Sequence, residues 1–205
     1  MKLKKLFISI ICGIMLVGII APTVKVSANE YLDQESVNID IEGIENNFSD
    51  ETEQEEKERI NLAIAETMSN HPEASESDLR ALAEYYVALD KGEVTPNEMA
   101  QLRAAAMRLK TSTVGTGLDI AISLAFGGAA SAGIKAMLKK HGVKFVKDRL
   151  YKIVVQKLAI FGVKKVSGIT VIINTIVKNV LQPGMQIANW LDKKSDGKKD
   201  GYITI

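Results

Sequence analysis

From residue 49 onward, apolar residues recur at helical spacing, and Gly and Pro cut the pattern into short pieces. Ser49-Asp50-Glu51 predicts the start of an acid-rich helix carrying one narrow stripe of Ile60, Ile64 and Met68, with Leu62 and Ala63 beside it. Asn70-His71-Pro72 predicts its end. A second helix is expected from Glu76 to Lys91, with Leu79, Leu82, Ala83, Tyr86 and Leu89 inward and Gly92 as its C-terminal stop. Thr95-Pro96-Asn97-Glu98 reads as a capping box with Pro at the first helical position. The third helix that it opens buries Met99, Leu102, Ala106 and Leu109.

The next helices are far more apolar. Val114 to Phe126 has a single charge, Asp119. Gly127-Gly128 separates it from a helix over Ala129 to Lys140, whose terminal Lys139-Lys140 suits the negative end of the helix dipole. Val143 to Phe161 is the most regular amphipathic stretch. Val143, Val146, Leu150, Ile153, Val154, Leu158 and Phe161 form its apolar side, Lys144, Lys147, Arg149, Lys152 and Lys157 cover the remainder, and Gly162 closes it. Ile169 to Leu181 is apolar enough to require a core or lipid around it, and Pro183-Gly184 breaks it. A last short helix carries Met185, Ile187, Ala188, Trp190 and Leu191. The expected fold class is all-α, a small acidic helical segment followed by a basic, apolar multi-helix bundle.

Charge divides the chain along the same lines. Residues 1–28 hold four Lys and no acid; residues 29–110 hold 20 acids and 7 bases; residues 111–205 hold 5 acids and 15 bases. The overall net charge of +1 therefore hides an acidic part at −13 and a basic part at +10. Two parts so opposed either do different jobs or neutralise each other.

The first 28 residues read as a secretory signal peptide. Lys2, Lys4 and Lys5 precede an apolar run from Leu6 to Ile20, Pro22 follows, and Val26-Ser27-Ala28 places small residues for cleavage between Ala28 and Asn29 by signal peptidase. A membrane anchor needs nearer twenty apolar residues, on the order of a bilayer's thickness. Cys12, the one cysteine, lies in this run after Ile11, an environment unlike a lipoprotein site. The expected localisation is secreted, without a disulfide framework. The expected organisation is then an acidic flexible linker (29–48), an acidic helical pro-segment (49–110), a basic apolar helical bundle (111–191) and a solvated polar tail (192–205).

Catalytic and metal signatures are missing. After residue 28 the chain has His71 and His141, no Cys, no HExxH or GxSxG, and no phosphate-binding glycine loop. Asp90-Lys91-Gly92-Glu93 places Gly too early for a calcium loop. In the tail, Lys198 stands where a third ligand belongs. No enzyme activity, metal or cofactor is expected. Few Arg and few aromatic residues in the basic part argue against nucleic acid as partner.

An export signal, an acidic intermediate segment and a basic, glycine-punctuated apolar block together resemble the precursors of secreted bacteriocins of Gram-positive bacteria, in the closticin-like layout. The helix lengths and Lys-rich faces of 114–191 are also similar to the compact, saposin-like bundles of circular bacteriocins. The resemblance implies that a processing protease frees the C-terminal block. The junction of Lys110 and Thr111, where the charge changes sign, is the expected place. The implied target is an anionic bacterial membrane, met by Lys144, Lys147, Arg149, Lys152, Lys157, Lys164 and Lys165, with Phe161 and Trp190 in the interface. The apolar stretches are each too short to span a bilayer, so self-association is the way they would act together. Apolar stripes opposite lysines are equally what an ordinary helical domain shows. The alternative expectation is accordingly a secreted helical protein that binds anionic cell-wall polymer or a protein partner.

Overall fold

A computed structural model describes residues 51–94, 108–163 and 167–204. The expected signal peptide, its Ala28–Asn29 cleavage site, the linker, the Thr95 capping box, Lys164 and Lys165 lie outside the described residues. The architecture is all-α, with six helices and a two-stranded ribbon among the described residues.

Helix α1 runs Glu53–Asn70. Its start is the capping box Thr52-Glu53-Gln54-Glu55, three residues beyond the predicted opening. The Glu55 N–H donates to Thr52 Oγ1 (3.3 Å), and the Thr52 N–H donates to Glu55 Oε2 (2.8 Å). Ile60, Ala63 and Ile64 are buried, whereas Leu62 faces outward. Helix α2, Glu76–Asp90, buries Leu79, Ala83, Tyr85, Tyr86 and Val87.

Helix α3, Thr111–Ala125, is the centre of the core. A helix apolar on nearly every side needs cover all round, and α3 packs against α1 and α2 as well as the helices Ala130–Ile160 and Pro183–Asp196 described below. From Leu118 to Leu124 every residue is buried. Helix α4, Ala130–Ile160, joins the two segments read as Ala129 to Lys140 and Val143 to Phe161. The two helices meet at a kink at Gly142, where φ of 82° and ψ of 175° leave helical geometry. Helix α5, Ile169–Lys178, is shorter than expected and is covered on one face only. Ile169, Ile172, Ile173 and Ile176 are buried, while Val171 and Leu181 stand exposed. Helix α6, Pro183–Asp196, crosses α3 closely. A Cβ on Gly184 would lie 2.5 Å from the Gly115 carbonyl oxygen, and one on Gly115 would meet Met185 Sδ at 2.9 Å.

At the ends of this core one expectation is overturned and another refined, for residues 193–201 are exposed as a solvated tail requires, yet the segment is tied down at both ends. Residues 108–110 are strand β1 (Arg108–Lys110), not the end of a helix. They pair antiparallel with strand β2 (Tyr202–Thr204), Leu109 opposite Ile203. The tail is thus anchored: Ile203 is buried, as is Asp192, which accepts hydrogen bonds from Gly201 N–H (3.0 Å), Asp200 N–H (3.3 Å) and Thr111 Oγ1 (3.2 Å). The apolar Leu109–Ile203 pair and this carboxylate hold a segment whose composition alone suggests a solvated end.

Candidate functional site

Helix starts leave backbone N–H groups without partners, and α4 and α6 begin without a capping side chain of their own, at Ala129 and Gln182. Carboxylates from other helices fill both vacancies. Glu66 of α1 accepts from the N–H of Ala130 and of Ser131 (3.1 Å) and from Ser123 Oγ (2.8 Å). Asp119 of α3 accepts from the Gly184 N–H (2.7 Å, Oδ1) and the Met185 N–H (3.3 Å, Oδ2). Asp119 therefore puts a negative charge at the positive end of the α6 dipole. The C-terminus of α3 is met in the opposite sense by two guanidinium groups. Arg59 Nη1 donates to the Leu124 carbonyl (3.3 Å) and Arg149 Nη2 to the Ala125 carbonyl (2.8 Å).

The second oxygen of Asp119 joins the acidic helices to the basic block. His71, directly after α1, donates from Nε2 to Asp119 Oδ2 at 2.9 Å, and both side chains are buried. Glu73 stands 3.7 Å from His71 Nδ1 on the outer side. The hydrogen bond to Asp119, and then the two carboxylate charges, raise the His71 pKa above 6.5, although burial works against it. The folded chain holds this proton more tightly than the unfolded chain. The stabilising contribution is complete below about 6.5 and is lost as pH climbs through the raised folded value. Urea midpoints should therefore fall between pH 6 and pH 9 in the native chain, and His71→Gln should remove that part of the slope. Parallel profiles for the two chains would refute the coupling.

A third link is Lys157. Its Nζ bonds Asp90 Oδ1 at 2.6 Å and sits 4.8 Å from the centre of the Tyr86 ring. At 3 % exposure, Lys157 is a buried tie between α4 and α2, a correction to its expected role at a membrane surface. Phe161 is corrected likewise: it is buried against Gly117, where an added Cβ would lie 2.6 Å from the Phe161 ring. Arg149 is half-buried at the end of α3, its guanidinium 5.7 Å from the Phe126 ring centre, and burial pushes its pKa down. Trp190 is half-buried beside Gly168. Lys144 and Lys152 are exposed and Lys147 is half-buried.

The expected processing point is held within structure. Lys110 pairs with Tyr202, the Thr111 N–H donates to the Gly201 carbonyl (2.9 Å), and Thr111 is buried. Cleavage at this bond requires the ribbon to open first. Nor does 110/111 divide two bodies, since α1 and α2 pack on α3 within one unit, Asn47–Ile205. Among the described residues no single helix is long and apolar enough to cross a membrane. By length and composition α3 and α4 together meet that requirement, bent at 45° to each other.

Among the described residues, those that tie the two oppositely charged parts include Arg59, Glu66, His71 and Asp90 on one side and Asp119, Ser123 and Lys157 on the other. Sequence reasoning placed Lys157 at a membrane surface and noted Asp119 only as a lone charge. Comparison with protein-family models, curated proteins and solved structures gives no match for this chain.

Proposed function

We propose that the chain is a secreted antimicrobial protein of bacteriocin type, in which the cationic C-terminal helices permeabilise bacterial membranes and the acidic helices restrain them. The observation that carries this reading is the setting of α3. A helix apolar all round is covered on one side by α1 and α2, the acidic helices, through links that open without breaking a covalent bond. Removing that cover would leave α3 and its neighbours with apolar surface that an anionic bilayer accepts, drawn first by the lysines. The restraint acts chiefly through burial and helix-end contacts, with Lys157–Asp90 as an ion pair between the two parts.

Dye release from phosphatidylglycerol vesicles tests the reading. Residues 111–205, with helical content verified by circular dichroism, should release dye at micromolar peptide, and added salt should slow the release as it screens the lysines. Residues 29–205 should release less. Retained dye with the helices intact would refute membrane action. One observation favours a second reading, a secreted helical protein that binds anionic wall polymer. The folded unit already buries α3, so it would act closed and bind polymer by lysines alone. Equal, salt-sensitive binding to soluble polyglycerol phosphate without dye release would favour it.

A further inference from the structure

Between Asp119 and Asp148 the chain has no acidic residue, and within that interval it carries Lys135, Lys139, Lys140, Lys144 and Lys147. These lysines cluster around the break in α4 at Gly142. The first four are exposed, and none of the five forms an ion pair with a described residue. Apolar side chains stand among them. Val143 is 51 % exposed and Phe145 38 %, and His141 stacks on Phe145 with ring centres 4.6 Å apart. The elbow has open space around it: a Cβ added at Gly142 would meet no atom within 4 Å beyond its own stretch of chain.

We infer that this elbow is the surface by which the closed, folded chain first docks on a bilayer rich in anionic lipid. The inference rests on the membrane reading above and locates its first step. Five lysines with one acid near them in sequence, Asp148, and no ion pair to it leave a strongly positive surface that calls for a dense negative partner. Val143 and Phe145 call for a partner that also offers apolar depth, which a headgroup layer over acyl chains supplies and a soluble polyanion does not. Docking here asks for no opening at His71–Asp119 or Lys157–Asp90, because the elbow's lysines take no part in those links. It also moves the contact surface away from Lys157 and Phe161, which serve the core.

The test is vesicle flotation with residues 29–205, which carry the whole unit Asn47–Ile205 and leave out the apolar run 6–20 that would itself bind lipid. Val143→Ser with Phe145→Ser, and separately Lys139→Gln with Lys140→Gln, alter exposed positions, and thermal melts verify that each variant is folded. Lys193→Gln with Lys194→Gln, exposed at the far end of α6, is the control. The native chain should float with phosphatidylglycerol vesicles and not with pure phosphatidylcholine. Each elbow pair should weaken binding by about tenfold, and the control pair should leave it unchanged. Native-level binding by Val143→Ser/Phe145→Ser, no preference for the anionic vesicles, or equal binding to soluble polyglycerol phosphate would each overturn the elbow. Dye release that persists in the elbow variants would overturn this inference while leaving the proposed function standing. Elbow-dependent binding without dye release from residues 111–205 would do the reverse.

Discussion

Asp119→Ala is expected to lower the unfolding free energy by about 3–5 kcal/mol, the range for breaking a buried charge pair by deleting one partner. The loss is large because one side chain satisfies three donors. Without it the Gly184 and Met185 N–H groups lose their acceptor, and His71 is left buried with only the more distant, exposed Glu73 to favour its charge. His71→Ala is the instructive comparison. It leaves Asp119 with both backbone donors, so roughly 1–3 kcal/mol is expected, the cost of one unmet buried hydrogen bond. The double variant should cost clearly less than the two single losses together, since both remove the same contact. Urea unfolding of the four chains measures the cycle. A loss below about 1 kcal/mol for Asp119→Ala would mean that water or a rearranged α6 start replaces the carboxylate, and the junction described above would not be a lock. The same variant bears on function: if the acidic helices restrain the basic block, residues 29–205 carrying Asp119→Ala should release vesicle dye faster than the native chain.

Much of the helical framework is legible from local pattern. Glu76–Asp90 ends one residue before the Lys91 boundary that Gly92 suggests, and the gap read between Lys140 and Val143 is the Gly142 break. What fails is non-local. Leu109 continues the spacing of Met99, Leu102 and Ala106, so 108–110 reads as helix. Its strand partner lies at 202–204, and nothing near either segment announces the other. The tail's Lys, Asp and Gly residues suggest solvation, and residues 193–201 are indeed exposed, but composition does not show the anchoring by the buried Ile203 and the cage around Asp192.

The junction was partly readable. Lys157 lies seven residues after Leu150, four after Ile153 and three after Val154, which puts it on the buried stripe of α4 despite its charge. A lysine in that register needs an anionic partner within reach, and Asp90, itself partly exposed, is it. Ala129 and Gln182, at helix starts, likewise signal N–H groups that must be met from elsewhere. Helical period shows the vacancy and not its occupant. Glu66 precedes Ala130 by 64 positions and His71 precedes Asp119 by 48, separations that only the packed fold closes.

Gly184→Val should cost roughly 3 kcal/mol, the upper end of what overpacking a filled core does. The argument is geometric. Even the first added carbon would stand 2.5 Å from the Gly115 carbonyl oxygen and closer still to the Asp119 nitrogen, both backbone atoms of α3 that no rotamer change can move. The start of α6 must then shift outward, and that shift also lengthens the Gly184 N–H bond to Asp119, 2.7 Å in the native chain. Packing and capping therefore fail together. Gly184→Val combined with Asp119→Ala should destabilise by less than the two separate losses, because the bond that one deletes the other has already stretched. Full additivity in urea midpoints, or a Gly184→Val chain as stable as the native one, would show that α6 moves freely over α3. A drop in stability with strong coupling would show instead that Asp119 and Gly184 form one joint, through which His71 reaches the helix that carries Trp190 and the tail.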